Sequence, residues 1–205
     1  MKNGKEIKIS YESLQTEKKL KPQIEKILKK FKPYILENLK DYPIIVILKK
    51  SPENLVAPES EFEDVIGITT DTQGVIRFNE NSRCFIIEIK ESLLENKNKE
   101  YIERTIAEAL LYVYVTVDNW KLGIPFDVTG LLDRADVIQE LIIHNFISDE
   151  EVEEEILAHI EEAMEGGIVS EEDLIDYVKH YTGYIDESKI KELIKKIRAE
   201  RLGTN

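Results

Sequence analysis

With 205 residues, 42% of them hydrophobic and 34% charged, the chain can form one large domain or a medium domain with a small companion, and can bury a real core. Its net charge of −13 repels nucleic-acid phosphates unless a local basic face overrides the mean field, and its single cysteine, Cys84, excludes an intramolecular disulfide framework. No stretch approaches the ~20 consecutive apolar residues of a bilayer span, and Met1 leads into polar, charged sequence rather than a secretory apolar segment, so the expectation is a cytoplasmic protein with no membrane partner.

The charge is uneven. Residues 1–50 carry 13 Lys and Arg against 6 Asp and Glu, residues 51–146 carry 8 against 18, and residues 147–205 carry 7 against 17. Abundant Lys, Glu and Ile with little Gln is a balance typical of thermophile proteins.

Residues 14–40 place Leu14, Leu20, Ile24, Ile27, Leu28, Phe31, Ile35 and Leu39 at helical spacing, with lysines filling the opposite face. Pro22 suits a first turn and Pro33 a kink or break. The lysines read as a solvated face, with a phosphate or acidic-partner surface as the alternative. Ile44–Leu48 is a continuous β-branched run that reads as a buried central strand. Residues 51–64, with Pro52, Pro58 and several acids, read as an exposed loop. VIGITT, the turn Asp71–Gly74 and VIRFN form a hairpin pattern, and 84–89 (CFIIEI) is a further strand.

Residues 101–117 (YIERTIAEALLYVYVTV) read as a helix that is apolar almost all round, although the VYVTV tail also suits a strand. Residues 131–146 are again amphipathic. After Phe146 prolines vanish, and helices are expected at about 149–165, 171–182 and 187–201. Ser148 with Glu151 is a capping box, Ser170 with Asp173 is an acidic start, and Asp186 is a third N-cap. Gly166, Gly167 and Gly183 punctuate the ends. The expected architecture is α+β: residues 1–146 form a helix plus a small mixed or antiparallel sheet packed on a core helix, and residues 147–205 form an all-α three-helix module.

The core helix reads Ala107-Glu108-Ala109-Leu110-Leu111 where the active helix of a minimal zinc metallopeptidase reads HExxH. From Leu14 to Trp120 the order of elements resembles that minimal zincin scaffold. The resemblance implies that strand 84–89 is a substrate-binding edge and that Glu108 stands where the general base would be. The chemistry needs two imidazoles one helical turn apart, and Ala107 and Leu111 supply neither. His144, His159 and His180 lie downstream with no second His within a turn. No metal and no cofactor is therefore expected. Glu108 is then a paired charge, bonded to Arg104, Thr105 or Tyr112, with a non-metal acid/base role as the alternative.

Other catalytic signatures are missing. The sequence holds no GxGxxG, GxxxxGK[ST] or GxSxG. Cys84 opens an apolar run and reads as a small buried residue. Asp127, Asp133, Asp136 and Glu140 read as solvated surface, with a Mg²⁺ or Ca²⁺ site as the sharper alternative. The run Asp149–Glu155 lacks the alternation of an EF-hand loop.

Residues 150–203 resemble the helical part of a winged-helix module, carried by VSEEDLIDYVKHYTG and DESKIKELIKKIRAERLG. That resemblance implies a last helix presented to a DNA groove through Lys189, Lys191, Lys195, Lys196, Arg198 and Arg201. The chain ends at Asn205 without sequence for a wing, and the two preceding helices are acidic. The bland reading is a lysine-rich helix that offsets its acidic neighbours. Three functions follow. The first is a non-enzymatic interaction or regulatory protein, an inactive zincin-like scaffold with a helical docking module that binds a protein partner or itself. The alternatives are a nucleic-acid-associated factor using the last helix, and an enzyme of unrecognised class near Glu108, Tyr112 and Tyr114.

Overall fold

The computed structural model describes residues 6–50, 63–124 and 131–203. Among them are seven α-helices and a five-stranded mixed sheet, an α+β fold with helices at the C-terminal end. The expected loop at 51–64 lies largely outside the described residues. The chain divides into two compact units, 1–133 and 134–205, a division earlier than the sequence pattern placed it.

In the first unit, β1 (Ile9–Tyr11) leads to α1 (Leu14–Leu28), α2 (Pro33–Leu39) and β2 (Ile44–Lys49). Ser13 caps α1 by accepting from the Thr16 N–H at 3.1 Å. Pro33 begins α2, as a helix-breaking residue with a preset φ can. Pro22, expected in a first turn, sits inside α1 instead. The hairpin β3 (Glu63–Ile68) and β4 (Gly74–Asn79) follows, then β5 (Cys84–Lys90) and the long helix α3 (Lys99–Lys121). Asn98 caps α3, accepting from the N–H groups of Glu100 and Tyr101. The VYVTV tail is helical to its end. Val113, Val115 and Val117 are buried, and the Thr116 hydroxyl donates to the Tyr112 carbonyl at 2.8 Å, so tertiary burial overrides β-propensity.

The strand order is β1-β2-β5-β4-β3. β1, β2 and β5 are parallel, and β5–β4 and β4–β3 are antiparallel. Strand 84–89, expected at an edge by the zincin resemblance, is central and paired on both sides. Its β-branched and aromatic residues suit a two-sided burial, and the parallel return from β2 through the hairpin leads the chain into the middle of the sheet.

Register puts Ile44, Val46, Ile76, Phe85 and Ile87 on one face. Phe78 and Phe85 of that face meet Trp120 of α3. Gly67 meets Tyr112, whose ring lies where a β-carbon at 67 would stand, 2.4 Å from Cδ1. Helix α3 packs on β3, β4 and β5 and against α1 and α2. The other face holds Val75, Arg77 and Glu88, all buried.

The second unit begins within α4 (Leu131–Ile143), which is followed by α5 (Asp149–Glu165), α6 (Glu171–Thr182) and α7 (Glu187–Gly203), the last three packed on one another. The capping box at Ser148 and Glu151 forms, Ser170 accepts from the Asp173 N–H, and Asp186 accepts from the N–H groups of Ser188 and Lys189. Gly183 ends α6 in a left-handed conformation, φ 72°. Ile156, Ile160, Leu174, Val178, Ile190 and Ile194 fill the interior.

Candidate functional site

Glu108 is buried at 1% exposure, and its Oε1 accepts two hydrogen bonds from Thr70 on the β3–β4 turn. The backbone N–H donates at 3.0 Å and the hydroxyl at 3.2 Å. Thr105, one of its expected local partners, instead donates to the Tyr101 carbonyl at 2.9 Å. One turn earlier on α3, the Tyr101 hydroxyl donates to Asp71 Oδ2 at 2.9 Å. Burial first, then that bond and the Asp71 charge, push the phenol up to about 12. The turn these two side chains hold contains Asp71 at φ 56° and Thr72 at φ 52°, left-handed conformations that cost a β-branched residue most. Glu108 is therefore a tie for a strained turn. Tyr112 is buried against Gly67, and Tyr114 meets Tyr34 at a 5.9 Å ring separation.

The basic residues of α7 divide by face. Lys189 and Lys196 both reach Glu153 of α5, at 3.1 and 3.4 Å. Hydrogen bonds from these two lysines hold the Glu153 carboxyl below its ordinary value. Lys191 lies 3.7 Å from Glu187, and Arg198 donates to the Val169 carbonyl at 2.6 Å. Lys195 and Arg201 are exposed. Four of the six cations are thus engaged within the helical unit. The N-terminal lysines behave alike: Lys26 of α1 and Lys30 just past its end both bond Glu103 of α3, and Lys19 bonds Glu91.

Among the described residues no three His, Cys, Asp or Glu side chains converge in a metal-holding group. The side chains of Asp127 and Asp133 lie outside the described residues. Asp136 is exposed and Glu140 lies 3.4 Å from the buried His144. Cys84 is buried, as its apolar run predicts. Among the described residues no helix is long and apolar enough to cross a membrane.

Sequence reasoning missed a pocket of about 530 Å³ in the α+β unit. Three segments form it: Asp41 and Tyr42 before β2, Ser82 and Arg83 before β5, and Trp120 and Lys121 at the end of α3. Because β2 and β5 are parallel neighbours, the loops entering them lie side by side, tied by the Phe85 N–H donating to the Pro43 carbonyl at 2.9 Å. Tyr42, Phe78, Phe85 and Trp120 form one aromatic cluster, with ring separations from 4.8 to 5.8 Å.

Two cations stand at the pocket. Lys121 is neutralised by Asp41 at 2.5 Å and donates to Asn38 Oδ1 at 2.6 Å, while Asn38 donates to Asp118 at 2.8 Å. Arg83 is different. Its guanidinium lies 5.8 Å from the centre of the Tyr42 ring and donates to the Tyr42 hydroxyl at 3.4 Å. Among the described residues no carboxylate lies in ion-pair reach of it. Arg83 also holds φ 51°, a left-handed conformation that costs a non-glycine residue. The only sequence signals were the lone tryptophan and a tyrosine before a proline, and neither indicates that residues about 40 positions apart will meet. No family model, curated protein or solved structure matches this chain.

Proposed function

We propose that this chain is a non-catalytic binding protein of the interaction or regulatory class, and that its α+β unit takes a small planar anion in the pocket of Tyr42, Trp120 and Arg83. The observation that carries the reading is Arg83, a cation in a left-handed backbone conformation over the Tyr42 ring, with no carboxylate in ion-pair reach among the described residues. A pocket of about 530 Å³ falls in the size range of small-molecule sites, which combine aromatic walls with a few placed polar groups. An aromatic ring of the ligand lies against Trp120 or Tyr42, and its carboxylate or phosphate meets Arg83, whose planar fork suits both anions. Lys121 and Asp41, paired with each other, make a neutral rim. The commitment of Glu108 to Thr70 supports a binding role rather than an acid/base one.

Trp120 is the one tryptophan of the chain, so its emission reports on the pocket directly. Titration with adenosine monophosphate and with salicylate, to ~1 mM as suits weak ligands, is expected to change that emission saturably, with inorganic phosphate as the non-aromatic control. Arg83→Ala abolishes the change and Arg83→Lys retains part of it. The reading fails if neither aromatic anion alters the emission, or if Arg83→Ala responds like the parent.

A further inference from the structure

Helices α5 and α6 carry thirteen acidic residues and one lysine, Lys179. That lysine is itself paired with Glu187 at 2.5 Å. Across this acidic surface runs a group of rings. Tyr177 and Tyr181, one turn apart on α6, have ring centres 4.4 Å apart. His159 of α5 lies over Tyr181 at 6.2 Å, stacked at 23°, and His180 meets the same ring edge-on at 4.8 Å. Tyr181 touches three rings yet remains 50% exposed, so the cluster is half of a packed arrangement with its other half in solvent. The helical interior is filled from the same helix by Leu174 and Val178 instead.

Carboxylates border the rings. Burial first, then the Glu162 charge on α5, raise the Tyr177 phenol, and Glu155 stands one turn before His159, whose Nδ1 meets the Glu155 carbonyl at 2.8 Å. An aromatic face bordered by carboxylates attracts a cation twice, through the ring quadrupole and through net charge. Guanidinium fits better than ammonium, because its plane stacks on a ring while its edge donates to a carboxylate.

We infer that the helical unit docks an arginine-rich segment of a partner protein, with an arginine side chain stacked on the exposed face of Tyr181 and its edge toward Glu162. The rings belong to the helical unit and the pocket to the α+β unit, and the test does not depend on a ligand in the pocket. The two proposals stand or fall independently.

The test uses the full chain and a fluorescein-labelled nona-arginine peptide, followed by anisotropy, with nona-lysine and oligo-glutamate peptides of equal length beside it. Nona-arginine is expected to bind more tightly than nona-lysine, and oligo-glutamate not at all. Tyr181→Ala, which leaves the charge unchanged, weakens nona-arginine binding about tenfold, whereas Val169→Ala at another exposed position does not. Tyr181→Leu keeps apolar bulk while removing the ring, and guards against a folding defect in the alanine variant. If both Tyr181 variants bind as the parent does, or if arginine and lysine peptides bind equally, diffuse attraction to an acidic protein accounts for everything and the site is refuted.

Discussion

Glu108 Oε1 accepts from both the backbone N–H and the hydroxyl of Thr70, at 3.0 and 3.2 Å, across 38 residues of sequence. The bonds join the middle of the core helix to the turn between β3 and β4, where Asp71 and Thr72 sit in left-handed conformations. A charged acceptor is worth ~1.5–3 kcal/mol per hydrogen bond, enough to hold the turn against its strain. Glu108→Ala is expected to destabilise the protein by ~3 kcal/mol, measured as a lowered denaturant midpoint. Thr70→Val, which removes only the hydroxyl, costs half as much, ~1.5 kcal/mol. Equal losses would mean that the backbone bond contributes nothing.

Gly67 owes its place to Tyr112. A β-carbon there would lie 2.4 Å from Cδ1 and 2.5 Å from Cγ of the ring, atoms near the root of a buried side chain that cannot swing aside. Gly67→Ala is expected to destabilise by ~1–3 kcal/mol, the usual cost of overpacking. Tyr112→Leu added to it recovers part of that loss, because the narrower side chain opens the space. A thermal melt of the single and double variants checks both, and additive losses would contradict the steric account.

Most elements of this fold were legible because their signals are local. The capping residues Ser148, Ser170 and Asp186, the glycine at 183 and the periodicity of α5 to α7 each act within a turn or two of chain. Strand existence was equally plain for Ile44–Lys49 and Cys84–Lys90. Strand order was not, because it is set by which strands pair across long connections, and CFIIEI reads the same at the centre as at an edge. β1 was missed because three residues give too short a pattern. The partners of Glu108 and the meeting of Tyr42 with Arg83 and Trp120 depend on those same long-range placements. Residue types showed that α7 is basic, but only the packing of α7 on α5 shows that Glu153 takes two of its lysines.

Glu103 gives the acid limb of stability a specific cause. Burial alone would raise its carboxyl, but hydrogen bonds from Lys26 and Lys30 outweigh burial and leave it below the ordinary value of 4.5. A carboxyl whose folded value is depressed binds fewer protons folded than unfolded. Its contribution is present above about 4.5 and is lost as pH falls through the lower folded value. In the double variant Lys26→Gln, Lys30→Gln the depression disappears while the burial remains, so Glu103 no longer costs stability on acidification: the variant is less stable than the parent at neutral pH, and the gap between them narrows as pH falls through the parent's folded value. Denaturant midpoints measured down the acid range test this, and coincident acid limbs would show that the lysines contribute no linkage.

Arg77 and Glu88 form the buried counterpart on the other face of the sheet, on neighbouring strands β4 and β5. Arg77 is 0% and Glu88 3% exposed. Their nearest charged atoms are 3.6 Å apart, with Lys49 adding a contact at 3.5 Å to the same carboxylate. Breaking a buried pair by removing one member costs ~3–5 kcal/mol, whereas replacing both by apolar groups of similar volume is often neutral. Glu88→Leu is accordingly expected to cost several kcal/mol, because the burial of the guanidinium persists when the Glu88 carboxylate is gone. Arg77→Leu combined with Glu88→Leu costs less than the two single changes together. The double-mutant cycle, read from denaturant midpoints, isolates the coupling. A coupling near zero would mean that Arg77 draws its compensation from elsewhere and that the pair is incidental to the sheet.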